Sequence, residues 1–196
     1  MSSFFPFYCD IEGRRWLLVG GGRVAAGKFR RLLQFTDEIT VVAPEIADEI
    51  KKSAGSQTVL IERDFELDNL CGVDFVVAAS DDKSLNGRIA AECRHRHIPV
   101  NSVDDTPNCD FIFPAIIKKG DLTVSISSGG ASPAYAALLK KQIAEIIPEN
   151  IDEILEKMLK LRKTVPEKYP ELDQHERSKL YKKELITMLS GEGDIQ

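Results

Sequence analysis

The sequence lacks any run of about 18 consecutive apolar residues, the length that a helix needs to cross a bilayer. Residues 1–10 also lack a basic segment followed by an apolar one, which is the pattern of a secretory leader. These two absences argue against a membrane protein. We therefore expect a cytoplasmic protein with no membrane partner.

Residues that commonly bind metals are also scarce. The sequence has three histidines and four cysteines, and it contains no Cys-x-x-Cys pair. The cysteines are widely separated: Cys9, Cys71, Cys93 and Cys109. This spacing excludes the common zinc modules and indicates unpaired thiols that are buried or half-buried. His95 and His97 alternate with arginines near a predicted helix end, and we interpret both as surface residues.

An excess of positive charge is missing as well. The net charge is -5 and the pI is near 5.3, which argues against a nucleic-acid partner because phosphate binding needs a basic field over much of one face. Any anionic ligand must therefore be met by local positive groups. The hydrophobic content of 43% is ordinary for a packed globular protein.

Short apolar runs alternate with helical patterns through the first half of the chain. The runs predict strands at 16–19, 39–43, 58–61, 74–79 and 98–103. Helical patterns follow the first run, as far as Leu33, and occupy 83–95, while 45–53 has the character of a helix or a loop. Such alternation predicts a parallel sheet that is covered by helices on both faces.

The pattern changes after Pro107. Residues 111–117 and 122–127 predict two strands joined by a tight turn. A helix is expected to begin at Ser132-Pro133, with the serine as N-cap, and to end before Pro148. Residues 150–196 predict a tail of two or three helices, interrupted near Pro166 and Pro170.

A glycine-rich motif lies between the first predicted strand and its helix. Residues 20–25, Gly-Gly-Gly-Arg-Val-Ala, match the G-x-G-x-x-A form of the dinucleotide fingerprint. Gly20 would permit the tight turn, Gly22 the approach of the pyrophosphate, and Ala25 close packing of helix on strand. An ordinary glycine turn is the alternative. The motif predicts an α/β fold class with a Rossmann-type sheet and a nicotinamide cofactor.

The second strand departs from the standard fingerprint. It ends at Ala43-Pro44-Glu45, with no acidic residue at its tip to hold the ribose hydroxyls, although Glu45 could still reach them. Arg23 could meet the pyrophosphate or a 2′-phosphate, or could be a solvated surface residue. On balance the sequence favours NAD over NADP.

Polar residues follow two later strands. Ser80 comes directly after the fourth strand, and the fifth strand ends in residues 101–105, which include Asn101 and Asp104. Because ligands of open α/β sheets gather at the carboxyl ends of strands, we expect Asp104 to face the cofactor crevice. Its carboxylate could act as a general base, bind a cation or cap a turn.

A second glycine-rich turn precedes the helix that begins at Pro133. Residues 127–133 read Ser-Ser-Gly-Gly-Ala-Ser-Pro and combine flexible backbone with hydroxyl groups. Such a turn can hold a carboxylate or a phosphate. A glycine turn with a serine helix cap would explain the same pattern.

Taken together, these motifs resemble the precorrin-2 dehydrogenase/sirohydrochlorin ferrochelatase module of siroheme synthases over residues 4–150. The resemblance rests on residues 6–9, 19–25, 78–82, 101–104, 111–115 and 127–133. It implies NAD-dependent oxidation of precorrin-2 to sirohydrochlorin in siroheme or cobalamin biosynthesis. It also implies a homodimer, and in bifunctional members Fe2+ insertion. The alternative is an NAD-sensing regulatory module without catalysis.

The resemblance also implies a domain plan. Residues 1–112 would form an NAD-binding Rossmann domain, 113–148 a small α+β region for dimerisation and substrate, and 149–196 a C-terminal helical tail.

Site residues follow from the same comparison, joined to the fingerprint. The cofactor set is Gly20, Gly22, Arg23, Val24, Ala43, Pro44 and Ser80. The substrate set is Asn101, Ser128, Gly129 and Gly130. Asp104 would be the catalytic carboxylate and, if the chelatase step occurs, a transient metal ligand. We further hypothesise that Lys118 and Lys119 join the turn around Ser128 to meet substrate carboxylates, and that Asp105 either raises the pKa of Asp104 or helps to hold Fe2+.

Overall fold

A computed structural model of the chain describes residues 4–190. These residues form two compact units, a first unit from Phe4 to Phe113 and a second unit from Pro114 onward. The roles predicted for 1–112, 113–148 and 149–196 stay predictions, and residues 1–3 and 191–196 of those ranges lie outside the described part. None of the helices within residues 4–190 has the length and apolar character that crossing a membrane requires.

The first unit contains a sheet of five parallel strands. These are β1 (Trp16–Val19), β2 (Ile39–Ala43), β3 (Val59–Glu62), β4 (Phe75–Ala78) and β5 (Val100–Ser102). Their order across the sheet is β3-β2-β1-β4-β5. The order reverses beside β1, because the chain returns from β3 past β1 to form β4. This strand order confirms the predicted Rossmann-type fold class. Ligands of such sheets bind where the strand order reverses.

Helices cover both faces of this sheet. They are α1 (Arg23–Leu32), α2 (Asp48–Ser53) and α3 (Lys83–His95). Successive residues of β1 point to opposite faces, so Leu18 packs with Phe29 of α1 in one core and Leu17 packs with Ile89 of α3 in the other. All four of these side chains are at most 1% exposed. Because both faces of the sheet are buried, most positions along its strands are occupied by apolar residues.

An aromatic cluster extends the core on the α1 side. The rings of Trp16 and Phe75 stack with centroids 4.5 Å apart, and Phe111 lies edge-on to both. The prediction of a strand over 111–117 is therefore wrong for its first half, since the strand begins only at Ala115. Pro114 has no N–H to donate to a sheet ladder, and Phe111 and Phe113 pack against the first core instead.

The second unit begins with a hairpin. Strands β6 (Ala115–Lys119) and β7 (Leu122–Ile126) pair antiparallel, as predicted, with Lys119 opposite Leu122. Gly120 adopts the left-handed region at φ +49, which suits the tight turn. Helix α4 (Pro133–Ile146) follows, and the Ser132 hydroxyl accepts a hydrogen bond from the Tyr135 amide at 3.2 Å. The predicted serine cap with proline at the first helical position is confirmed.

The tail of the chain forms α5 (Ile151–Lys168) and α6 (Gln174–Ser190). The expected interruption at Pro166 is wrong, since this residue lies inside the last turn of α5. The break comes instead at Tyr169 and Pro170. Two helices, rather than three, occupy the described part of the tail.

The four cysteines are unpaired, as predicted. The expectation that all are buried or half-buried holds for Cys93 and Cys109 only, because Cys9 and Cys71 are exposed. Burial raises the pKa of the Cys93 thiol to about 12. Both His95 and His97 are exposed, as predicted.

Candidate functional site

The glycine-rich loop connects the end of β1 to α1. Gly20 adopts φ +126, a conformation that L side chains rarely take, and a Cβ there would overlap the carbonyl oxygen of Ala79 beyond β4. The Gly20 amide donates to the carbonyl of Val42 in β2 at 2.9 Å. The loop is thus held against both strands that flank β1, and only glycine fits at its first position.

The next two glycines differ in what surrounds them. A Cβ on Gly21 would overlap the carbonyl of Glu45, and the Gly21 carbonyl accepts a hydrogen bond from the Ala47 amide at 2.9 Å. A Cβ on Gly22 would meet no atom of the described protein within 4 Å. Gly21 therefore serves internal packing, while Gly22 leaves open space beside its backbone.

Helix α1 presents an uncapped N-terminus to this open space. Gly22 is the N-cap residue, no side chain caps the helix, and its first turn contains no acidic residue. Arg23 and Val24 are exposed. Backbone amides and the helix dipole favour an anion at such an end, and the exposed Arg23 adds a positive charge. The loop and the helix end fit the pyrophosphate of a dinucleotide.

The tip of β2 lies beside the loop. Ala43 is buried, whereas Pro44 and Glu45 are exposed at the carboxyl end of the strand. Their backbone is held in place through the contact of Gly21 with Glu45 and through the bond from Ala47. This geometry leaves the Glu45 carboxylate accessible to ribose hydroxyls, as the sequence allowed.

Ser80, after β4, is held by Asn86 of α3. The Ser80 hydroxyl and amide donate to Asn86 Oδ1 at 2.7 Å and 3.2 Å, and Asn86 Nδ2 donates to the Ser80 carbonyl at 2.8 Å. Asn86 is 4% exposed, so it is a buried polar residue with its hydrogen bonds made. Sequence reasoning missed Asn86, although its place one turn into a helix that follows a strand tip is a usable signal.

Asp104 occupies the turn after β5. It adopts φ +59, a left-handed conformation that aspartate tolerates better than most residues, and it is exposed. Among residues 4–190 its carboxylate has no hydrogen-bond or ion-pair partner. Asp105, by contrast, accepts a hydrogen bond from Asn108 Nδ2 at 2.7 Å. The two adjacent carboxylates thus differ, since Asp105 supports a turn and Asp104 faces solvent.

Asn101, in β5, is buried and its amide has a defined orientation. Nδ2 donates to the Phe111 carbonyl at 2.9 Å, and Oδ1 accepts from Lys28 Nζ of α1 at 3.2 Å. The same ammonium lies 4.3 Å from the centroid of the Phe113 ring. Burial, and to a smaller extent the nearby Arg31, lowers the pKa of Lys28 to about 8. Sequence reasoning missed Lys28, because a lysine in a helical pattern usually lies in solvent.

The described residues contain no group of three or more His, Cys, Asp or Glu side chains that could hold a metal ion. Asp104 and Asp105 therefore do not form part of a larger acidic cluster.

The serine-glycine turn lies in the second unit, between β7 and α4. Gly129 and Gly130 adopt φ +63 and +87, which requires glycine-like freedom. Ser127 Oγ accepts the Gly129 amide at 3.1 Å and Ser128 Oγ accepts the Ser132 amide at 3.0 Å. These hydroxyls stabilise the turn as acceptors, and within residues 4–190 neither donates a hydrogen bond. The two serine oxygens can therefore stabilise the turn while their hydroxyl hydrogens stay available to a ligand.

The hypothesis that Lys118 and Lys119 join this turn is wrong within one chain. Lys118 pairs with Thr123 at the far end of the hairpin, roughly 15 Å of strand from Ser128. The Lys119 ammonium donates to the Ile147 carbonyl at 3.2 Å, and Lys118 bonds to the Gly120 carbonyl. Both lysines support the hairpin end rather than the serine-glycine turn.

Comparison with known proteins identifies two matching family models. Residues 7–115 match the family described as putative NAD(P)-binding. Residues 119–146 match the family described as sirohaem biosynthesis protein central. The first match includes the whole five-stranded sheet, and the second includes most of the hairpin and α4.

Similar curated proteins are longer than this chain. A siroheme synthase of Ectopseudomonas mendocina is 38% identical over 172 residues, which are 88% of this chain and 37% of that protein. A siroheme synthase of Photorhabdus laumondii is 34% identical over 173 residues, again 88% and 37%. The chain thus spans a little over a third of the length of these relatives.

A solved structure shares the fold. It is described as SirC, precorrin-2 dehydrogenase, and it matches with a TM-score of 0.74 and 23% identity over 96% of this chain and 100% of that one. The likeness extends to the parallel sheet, the small antiparallel element and the helical tail. Because the model of the putative NAD(P)-binding family matches residues 7–115, the chain belongs to that family, and the residues after this domain match the central segment of sirohaem biosynthesis proteins.

Proposed function

We propose that this protein oxidises precorrin-2 to sirohydrochlorin with NAD as hydride acceptor, as a step of siroheme biosynthesis or of the related cobalamin route. The observation that carries the proposal is the exposed, unpartnered Asp104 at the same sheet edge as the dinucleotide loop. The siroheme synthases and the dehydrogenase named above support the choice of substrate.

The residues of the first unit fit the dinucleotide. Gly22 and the uncapped first turn of α1 would hold the pyrophosphate, with Arg23 and Val24 beside it. Ala43 and Pro44 would flank the adenosine, with Glu45 in reach of its ribose, which favours NAD over NADP. Gly20 and Ser80 would shape the floor of the crevice through their contacts with β2 and α3. When bound, the nicotinamide supplies the hydride acceptor.

Asp104 supplies the base. Oxidation of the macrocycle removes a hydride and a proton, and the carboxylate takes the proton at a carboxylate oxygen. Because no side chain within residues 4–190 forms a hydrogen bond or an ion pair with Asp104, both oxygens are available to the substrate. The left-handed backbone at this position holds the carboxylate outward from the end of β5.

Substrate carboxylates would be held by groups that donate hydrogen bonds. Precorrin-2 carries eight carboxylates, and the turn with Ser128, Gly129 and Gly130 offers the Gly130 amide and the hydroxyl hydrogens of Ser127 and Ser128, whose oxygens accept bonds within the turn. Asn101 contributes indirectly, since its amide is already engaged with Phe111 and Lys28. The unpaired cysteines support a reducing, cytoplasmic location.

The proposal includes a homodimer built on the second unit. Helix α4 exposes a stripe of large apolar side chains: Tyr135 at 57%, Leu138 at 53% and Ile146 at 78%. Their spacings of three and eight residues place them along one face of the helix, and such a face commonly pairs with another surface. We expect sedimentation equilibrium at micromolar concentration to give twice the chain mass. A monomer under these conditions would remove the homodimer from the proposal.

The decisive experiment is anaerobic. Protein, precorrin-2 and NAD are mixed, and sirohydrochlorin and NADH are followed by absorbance. We expect one NADH per sirohydrochlorin, at a rate proportional to protein concentration. No NADH from a folded protein that binds NAD would contradict the proposal and favour the NAD-sensing alternative.

A second addition tests metal insertion. Fe2+ is a substrate of the chelatase step that the family resemblance implies, and Asp104 is the accessible carboxylate that could receive it. Fe2+ is added to the same mixture after NADH formation is complete. Siroheme formation faster than in a protein-free control would extend the proposal to a bifunctional enzyme.

A further inference from the structure

Lys28, a cation of the first unit, lies away from the glycine-rich loop. Lys28 lies on α1 about 9 Å along the helix axis from Gly22, at 1.5 Å per residue. Its ammonium reaches across the sheet to Asn101 in β5, the strand that leads into Asp104. Lys28 is therefore associated with the strand that carries the proposed base rather than with the pyrophosphate.

The ammonium is oriented but not neutralised. It donates one hydrogen bond to Asn101 Oδ1 at 3.2 Å and sits over the Phe113 ring at 4.3 Å. An ammonium has three N–H donors, so at least one remains for a ligand. Among residues 4–190 no carboxylate lies within ion-pair distance of this nitrogen. A half-buried cation without an ion-pair partner in contact attracts an anionic ligand.

Three ionisable groups face Lys28. Burial is the largest cause and, together with Arg31 of α1, it lowers the pKa to about 8, whereas Cys109 and Asp104, both after β5, act to raise it. Burial also raises the pKa of the Cys109 thiol above its ordinary value of 9.0, so Lys28 loses its proton first. The charge of Lys28 is therefore the one that changes between pH 7 and pH 9.

We propose that Lys28 binds a carboxylate of the tetrapyrrole substrate, with Asn101 and the Phe113 ring as the groups that position its ammonium. The assignment rests on the proposed function, because the tetrapyrrole supplies the carboxylates. Asn101 acts through Lys28 and is a positioning residue.

The test is the affinity of the product, sirohydrochlorin, measured by anaerobic equilibrium dialysis between pH 7 and pH 9.5. We expect the Kd of the parent protein to rise by up to about tenfold per pH unit above pH 8, because only the charged ammonium attracts the carboxylate. In Lys28→Met the Kd at pH 7 should be at least about tenfold higher and nearly independent of pH. In Lys28→Arg, which stays charged, the Kd should remain near the parental value at pH 7 up to pH 9.5.

Matched measurements separate the alternatives. Lys52→Met, at an exposed position of α2, should leave sirohydrochlorin affinity and its pH dependence unchanged. Thermal melting checks folding of each variant, and Lys28→Met should remain folded because it removes a charge that burial disfavours. In turnover, Lys28→Met should raise the KM for precorrin-2 more than it lowers kcat.

Two results would overturn the assignment of Lys28 alone: parental affinity and pH dependence in Lys28→Met, or a loss of NAD affinity in place of sirohydrochlorin affinity. Absence of NADH formation by the parent protein would instead overturn the proposed function. A wrong assignment of Lys28 can therefore be distinguished from a wrong proposed function.

Discussion

Replacing Asp104 by asparagine is expected to lower the rate of NADH formation from precorrin-2 by about 10²–10⁴-fold at saturating substrate, the range that a general base contributes. The amide cannot accept a proton at this position. Asparagine tolerates the left-handed backbone at φ +59 nearly as well as aspartate, so the turn should persist. Alanine would add backbone strain to the loss of the base.

The neighbouring carboxylate provides the control. Asp105 accepts a hydrogen bond from Asn108, and asparagine can accept the same bond. We expect Asp105→Asn to keep activity within about threefold of the parent, since it changes one charge without removing the base. NAD affinity is measured for both variants by isothermal titration. An Asp104→Asn protein with more than a tenth of parental activity would show that the base lies elsewhere.

Two alanine substitutions in the glycine loop should have opposite effects. Gly20→Ala is expected to lower the free energy of unfolding of the first unit by about 3 kcal/mol or more, because the added Cβ combines an unfavourable φ with overlap of the Ala79 carbonyl. Gly22→Ala should change that free energy by less than about 1 kcal/mol, since its Cβ meets no protein atom within 4 Å.

For the affinity of the protein for NAD, Gly22→Ala is expected to be the damaging substitution, although it hardly changes stability. The Cβ of Gly22→Ala would enter the space that the pyrophosphate approaches, so we expect NAD to bind about 10-fold to 100-fold more weakly to a fully folded protein. Unfolding in urea can be followed by the fluorescence of Trp16, the single tryptophan, which is buried in the first unit. Unchanged NAD affinity in Gly22→Ala would place the pyrophosphate away from this loop.

Local signals predicted much of this structure. The glycine motif, the alternation of strands with helices and the Ser132-Pro133 helix start depend on residues close together in sequence, and each is found as predicted. The structure also keeps Asp104 exposed at a strand end, but its catalytic role stays a prediction.

Long-range contacts account for what the sequence did not predict. Lys28 is half-buried because Phe113 and Asn101, which lie more than 70 residues later, pack beside α1. Phe111 and Phe113 lie outside the strand that was predicted for them, because they pack against core residues that are distant in sequence. Lys118 and Lys119 are close to Ser128 in sequence. In the hairpin, however, the two lysines lie beside the turn, whereas Ser128 follows the opposite, open end.

The position of β1 in the middle of the sheet also bears on how the chain is made. β1 pairs with β2 on one side and with β4 on the other, but β4 leaves the ribosome well after β3. Until then one edge of an apolar strand has unpaired amides and carbonyls, which is the kind of edge that recruits other chains. The nascent protein therefore passes through a stage at which aggregation competes with folding, and a truncation before residue 75 would hold it there.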